Sequence, residues 1–166
     1  RQAEAASDVY QEMLRNLENE ALIRVRESAD RLISKYGSTA YADAASLMLA
    51  RLDVEAGRLE QAGHHLGRVM DHSKDSAMQH VARLRLVTLA LDQGDLKWAD
   101  QLLASQPTGG FESRYDELRG DVFAVRNDLN NARNAYQSAL ENAVVGSVAA
   151  QILERKLNSV RRVDDR

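Results

Sequence analysis

The sequence predicts an all-α fold of tandem antiparallel helical hairpins, on the basis of its composition and of a repeated pattern. Hydrophobic residues make up 44% of the 166 residues, which is enough for a buried core, and there are only one proline and nine glycines. Alanine, leucine, glutamate, glutamine and arginine are frequent, and these residues favour helices. Aromatic residues account for only 5% of the chain, whereas a β-sandwich or barrel would need more of them and more turn residues.

A related segment occurs three times along the chain. Each copy has an apolar helical run, a short turn, a leucine, and an alanine three positions after that leucine. The copies cover residues 49–70, 86–103 and 119–140. Gly57, Gly94 and Asn127 occupy the same turn position, at spacings of 37 and 33 residues. Glycine and asparagine tolerate the left-handed conformation that ends a helix, so the chain is predicted to reverse direction at each of them.

A degenerate first copy precedes these three. Counting 37 residues back from Gly57 reaches Glu20, where a turn is followed by a helix with apolar residues on one face. These residues are Leu22, Val25, Ala29, Leu32 and Ile33. The pattern therefore predicts four hairpins rather than three.

The predicted architecture is one domain over residues 1–160. Its repeats cover about 3–36, 40–72, 76–105 and 112–142, and a capping helix covers about 145–160. Residues 161–166 are predicted to be a frayed, charged tail, and Gln106–Gly110 is the clearest break in the pattern. One hairpin cannot bury its own apolar face, so successive hairpins are predicted to stack into a right-handed solenoid with a concave surface. Ser38, Ser76 and Asp128 are predicted to begin helices.

The third copy matches the general tetratricopeptide (TPR) pattern, through Gly120, Phe123, Asp128, Leu129, Ala132, Tyr136 and Ala139. More closely, most of the chain resembles the YfgM-like family, the ancillary subunits of the bacterial SecYEG translocon. That resemblance rests on residues 33–57, which read ISKYGSTAYADAASLMLARLDVEAG, and on residues 80–103 and 110–140. Ala40 stands where the family is expected to have a proline.

The resemblance implies the periplasmic domain of a single-pass inner-membrane protein. It also implies association with the translocon, with a membrane-anchored periplasmic chaperone and with unfolded, translocating client proteins. No run of about 18 apolar residues is present, so any anchor is expected upstream of Arg1. An apolar run of about 20 residues in the natural sequence before Arg1 would support this expectation.

Composition and spacing favour a non-catalytic protein with no cofactor, no metal and no small-molecule substrate. The chain has no cysteine, and its net charge of −3 gives no reason to expect nucleic-acid binding. His65 and His72 are seven positions apart, too far along a helix to chelate one ion together. Gly109 and Gly110 lack the lysine and hydroxyl residue of a phosphate-binding loop, and no serine lies in a nucleophile-elbow pattern.

The predicted partner-binding groove follows from the hairpin pattern, in which the first helix of each pair lines the concave face. Its predicted residues are Leu47, Arg51, Val54, Leu84, Thr88, Leu91, Glu117, Asp121 and Ala124. Because they are apolar, acidic or arginine rather than lysine and asparagine, no clamp for a terminal carboxylate is predicted. An apolar groove with charged edges suits an amphipathic helix or an unfolded segment.

Three questions stay open at the level of sequence. The groove leucines could be buried by neighbouring helices, and Trp98 could either pack against a neighbouring helix or anchor a partner. The array could also be a scaffold or a self-associating spacer in another envelope or cytosolic assembly.

Overall fold

The computed structural model describes residues 2–105, 107 and 109–164, with side chains described up to residue 160. This part of the chain forms nine α-helices and no strand. They are α1 (Gln2–Glu18), α2 (Leu22–Tyr36), α3 (Ala40–Glu55), α4 (Leu59–His72), α5 (Ser76–Asp92), α6 (Leu96–Leu103), α7 (Glu112–Val125), α8 (Leu129–Glu141) and α9 (Val148–Asp164). The predicted all-α fold of helical hairpins is confirmed.

The last helix extends beyond its predicted end. Helix α9 continues to Asp164, so four residues of the segment expected to fray are helical, while Asp165 and Arg166 lie outside the described residues. Gln106 and Thr108 of the predicted break also lie outside them. No helix in the described ranges is long and apolar enough to cross a bilayer.

The chain divides into two compact units, Arg1–Arg83 (unit 1) and Leu84–Arg166 (unit 2). Unit 1 contains α1 to α4 and the first part of α5, and unit 2 contains the rest. A single domain over residues 1–160 stays a prediction, and each unit is described by itself below.

Four helix reversals share one backbone geometry. Their turn residues have positive φ angles, which are 55° at Glu20, 71° at Gly57, 73° at Gly94 and 61° at Asn127. In each turn the N–H of the next residue donates to the carbonyl five residues earlier. The pairs are Ala21 to Asn16, Arg58 to Asp53, Asp95 to Ala90 and Asp128 to Phe123. This is the Schellman pattern, which satisfies carbonyls left unpaired at the end of a helix. The predicted reversals, including the degenerate one at Glu20, are confirmed.

Side-chain caps then start several of the helices. Asp128 accepts a hydrogen bond from the backbone of Asn131, as predicted, and Asp95 does the same for Trp98. The prediction of Ser38 as a cap is wrong, because Thr39 has the extended backbone and its hydroxyl accepts from the N–H of Ala42. These caps satisfy N–H groups that have no partner within the helix.

In unit 1, the first three helices share a buried core. It contains Ala6 and Met13 of α1, Val25, Ala29 and Leu32 of α2, and Ala45, Leu49 and Leu52 of α3. Arg68 attaches α4 to this group. Its guanidinium donates to Asp43 and Ser46 of α3 at 3.1 Å each, and to the carbonyl of Gly37 at 2.6 Å. Hydrogen bonds from Arg68 therefore hold α4 against α3, beside the apolar core of the first three helices.

In unit 2, α9 packs against α8. Leu153, Leu157 and Val160 are buried with Ala132, Tyr136 and Ala139 of α8. The Tyr136 ring also lies directly against α7, where a Cβ atom added to Gly120 would come within 2.5 Å of its Cδ1 atom. The absence of a side chain at Gly120 therefore leaves the space that the Tyr136 ring fills.

Replacing Gly120 with alanine should destabilise the protein, because the new methyl group collides with a buried ring. Such overpacking costs about 1–3 kcal/mol. Gly67, in α4, is the matched control because an added Cβ meets no atom within 4 Å there. Urea denaturation should show a lower free energy of unfolding for Gly120→Ala and an equal or higher one for Gly67→Ala. Equal stabilities of the Gly120→Ala variant and the wild type would refute this packing.

Replacing Glu20 with glycine should stabilise the protein by about 0.5–1 kcal/mol, because a side chain in the left-handed region costs free energy that glycine avoids. Glu18→Gly is the control. Glu18 is the last helical residue of α1, so glycine there should lower the melting temperature while Glu20→Gly raises it. Changes of the same sign in both variants would contradict the assigned turn.

Candidate functional site

The unit 1 part of the predicted groove lies along one face of α3. Leu47 is half-buried, Arg51 is exposed, and the side chain of Val54 is 46% exposed. The spacings of four and three residues place them on neighbouring turns of one helix face. Arg51 contacts the sulfur of Met48 at 3.5 Å and lies 3.6 Å from Glu55. This face therefore offers an exposed aliphatic group beside a charge that is only loosely paired.

The α5 part of the predicted groove is less accessible. Thr88 is exposed and its hydroxyl donates to the carbonyl of Leu84 at 3.2 Å, while Leu91 is half-buried. Leu84 itself is only 7% exposed. The Leu84 side chain is therefore buried in this structure, and its place in a binding groove stays a prediction.

The α7 part of the predicted groove is occupied by the last helix. Lys156 of α9 donates to Glu117 and to both carboxylate oxygens of Asp121, each at 2.7 Å. Glu117 is only 7% exposed and is a buried ion-pair partner of Lys156, while its place in a binding groove stays a prediction. Ala124 packs, half-buried, against the core formed with α9. In unit 2, α9 thus covers residues that the sequence assigned to a partner.

In the cluster of Glu117, Asp121 and Lys156, ion pairs and hydrogen bonds offset the free-energy cost of burying charged groups. Burial alone would raise the pKa of Glu117, but hydrogen bonds from Arg114 and Lys156 hold its pKa below 4.5. Burial, and then a 2.8 Å hydrogen bond from the Tyr136 hydroxyl to Asp121, raise the pKa of Tyr136 far above its usual range. Glu117 therefore stays charged and the Tyr136 phenol stays neutral, as expected of groups that stabilise the fold.

A second buried charge cluster lies in unit 1, around Asp53 of α3. This residue is 1% exposed, and its Oδ1 atom accepts from Arg26 at 2.7 Å and from Arg58 at 2.9 Å. Its Oδ2 atom has no hydrogen-bond partner among the described residues, and the His65 Nε2 atom lies 3.5 Å from it. Burial would raise the pKa of Asp53, but the two arginines outweigh it and hold the pKa below 3.8.

The sequence interpretation missed Asp53 and Lys156, although both have a periodic signal. Asp53 lies four positions after the buried Leu49, where the apolar periodicity of α3 calls for a buried side chain. Lys156 lies beside Leu157 and three positions after Leu153, at the edge of the buried face of α9. A charge at such a position predicts an ion pair with a neighbouring helix.

Trp98 and the histidines have the surroundings of ordinary surface or packing residues. Trp98 is half-buried in α6, and its backbone N–H donates to Asp95 at 2.9 Å. The His64 and His65 rings are 6.1 Å apart, centroid to centroid. In the described residues, no three histidine or carboxylate side chains are grouped closely enough to hold a metal ion.

Protonation of His65 should weaken the fold. Burial lowers the pKa of His65 below 6.5, although the negative charge of Asp53 opposes the shift. The unfolded chain therefore takes up a proton at a higher pH than the folded chain, so stability falls as pH drops below about 6.5. His65→Gln should lose less stability than the wild type between pH 7 and pH 5 in urea denaturation. Parallel losses in both proteins would exclude this role of His65.

Comparison with known proteins agrees with the hairpin geometry. The family model for the tetratricopeptide repeat-like domain matches residues 1–162. Three similar relatives are each named Ancillary SecYEG translocon subunit. The one from Neisseria gonorrhoeae is 29% identical over 96% of this chain and 77% of the relative, and the one from Aggregatibacter actinomycetemcomitans is 29% identical over 93% and 74%.

The third relative, from Escherichia coli, is 28% identical over 72% of this chain and 58% of its own length. No solved structure gives a significant match. The relatives confirm the resemblance to the ancillary translocon subunits, and the match over residues 1–162 shows that the chain belongs to the tetratricopeptide repeat-like domain family.

Proposed function

We propose that this chain is a non-catalytic protein-interaction module of a SecYEG translocon assembly. The observation that carries the proposal is the alignment of nearly the whole chain, 96% of it, with a relative named as an ancillary translocon subunit. Repeated helical hairpins support the proposal, because such repeats present extended surfaces to other polypeptides.

The finer role follows from the same resemblance. The chain is the periplasmic domain of a single-pass inner-membrane protein, and it docks a membrane-anchored periplasmic chaperone or translocating client proteins. An upstream apolar segment of about 20 residues would supply the anchor.

The exposed face of α3 is the proposed contact surface in unit 1. Val54 offers an aliphatic side chain that is 46% exposed, and Arg51 supplies an adjacent charge. Leu47 is half-buried behind them. In unit 2, Thr88 is the exposed member of the predicted set, Leu91, Asp121 and Ala124 are half-buried, and Leu84 and Glu117 are buried.

Affinity purification from detergent-solubilised membranes would test this role. The natural protein that carries this chain, with an affinity tag, should recover the translocon subunits in an amount that exceeds an unrelated tagged membrane protein. Val54→Glu should lower the recovery of a chaperone or client protein several-fold, because a new carboxylate opposes burial of this position in an interface.

Val145→Glu provides a matched control, because Val145 is 97% exposed between α8 and α9 and lies outside the proposed surface. Circular dichroism should show equal helix content in all proteins. Failure of the wild type to recover the translocon would reject the function itself. Equal chaperone and client recovery by the Val54→Glu variant and the wild type would reject only the α3 surface.

A further inference from the structure

Unit 1 has an open pocket of about 390 Å³ between the start of α2 and the end of α3. Its aliphatic wall consists of Leu22, Ile23, Leu52 and Ala56. Its charged rim consists of Arg26, Glu55 and Arg58. Ligand pockets have volumes of about 300–1,000 Å³, so this one is large enough for a few side chains of a bound peptide.

The aliphatic wall is a departure from the repeat pattern. Ile23 is 77% exposed, and the residues at its position in the other three hairpins are polar and exposed. They are Glu60, Lys97 and Asn130. Leu22 is 49% exposed, whereas the equivalent leucines of the other hairpins are half-buried. The first hairpin therefore exposes two adjacent apolar side chains, whereas the other hairpins have a half-buried leucine followed by an exposed polar residue.

Basic groups dominate the rim of this pocket. Arg26 and Arg58 share one carboxylate, since both donate to the Oδ1 atom of Asp53, and their side chains remain 34% and 46% exposed. Two guanidinium groups held by one buried acid leave an excess positive charge and several free N–H donors. The rim carboxylate of Glu55 lies 3.6 Å from Arg51, which offsets its charge.

The Asp53 ion pairs also fix the position of this charge. A guanidinium anchored through one N–H loses less conformational freedom when its other N–H groups bind a second carboxylate. The pocket therefore combines an apolar wall with preoriented donors for an anion. A ligand with aliphatic side chains flanked by carboxylates would complement both the apolar wall and the guanidinium donors.

We propose that this pocket binds an acidic, aliphatic peptide segment of a partner protein. This inference rests on the proposed function in so far as that function is protein binding, and it specifies the chemistry of the bound segment. The segment inserts leucine-like side chains against Leu22 and Ile23, and its carboxylates accept hydrogen bonds from Arg26 and Arg58.

Fluorescence anisotropy with three labelled 12-residue peptides tests the proposal on the whole chain. The first peptide carries leucines and glutamates, the second replaces each glutamate with lysine, and the third replaces each leucine with serine. The first should bind, with affinity that falls as salt is added, and the other two should bind at least about tenfold more weakly.

Ile23→Glu is the decisive variant, because the second hairpin already carries Glu60 at that position and the fold should accept it. It should weaken binding of the leucine–glutamate peptide about tenfold or more, through lost apolar contact and charge repulsion. Ile23→Ser should weaken it less, and Val145→Glu should leave it unchanged. Thermal melts establish that the variants are folded.

Equal binding of the lysine peptide would overturn the proposal, as would unchanged affinity in Ile23→Glu. Binding to anionic phospholipid vesicles that depends on Ile23, without binding to the peptide, would also overturn it and would assign the pocket to a lipid surface. Translocon recovery by the natural protein is measured separately. Recovery without peptide binding would reject only this inference, whereas peptide binding without recovery would reject the translocon role.

Discussion

The structure depends on a single backbone constraint, which is the left-handed residue that follows the first helix of each hairpin. Glu20, Gly57, Gly94 and Asn127 all adopt it, and the hydrogen bond that follows closes the same ring each time. Because the chain leaves every first helix in the same direction, the second helix returns along the same face. Apolar residues at fixed distances from the turn then meet, and for this reason a repeat in sequence becomes a repeat in packing.

Equivalent buried positions in the four hairpins carry residues of very different size. At two equivalent positions, counted from the turns, the four hairpins have Met13 and Ala29, Ala50 and Leu66, Val87 and Leu103, and Gly120 and Tyr136, and all eight residues are buried. A large residue at one position accompanies a smaller one at the other in the first, second and last hairpins. Close packing demands such compensation, because interiors tolerate neither voids nor overlap.

Sequence reasoning predicted the helices and their reversals well, because apolar periodicity and turn residues are local properties. It succeeded even at Glu20, where only the spacing indicated a turn. It was weaker for the site, because exposure depends on which helix lies opposite. Glu117 has the polarity of a surface residue, yet Lys156, which is 39 positions later in the chain, covers it. Asp53 was overlooked for the same reason, since its arginine partners belong to α2 and to a turn.

The turn geometry also affects how this kind of protein changes over evolutionary time. Glycine, asparagine and glutamate all occupy the same backbone conformation here, so a substitution at that position alters the stability of a hairpin without redirecting the chain. The amino-acid sequence of one hairpin can therefore diverge until it no longer resembles the sequences of the neighbouring hairpins. A count of repeats based on sequence similarity would then miss the diverged hairpins. A count based on backbone dihedral angles would still identify every helix reversal.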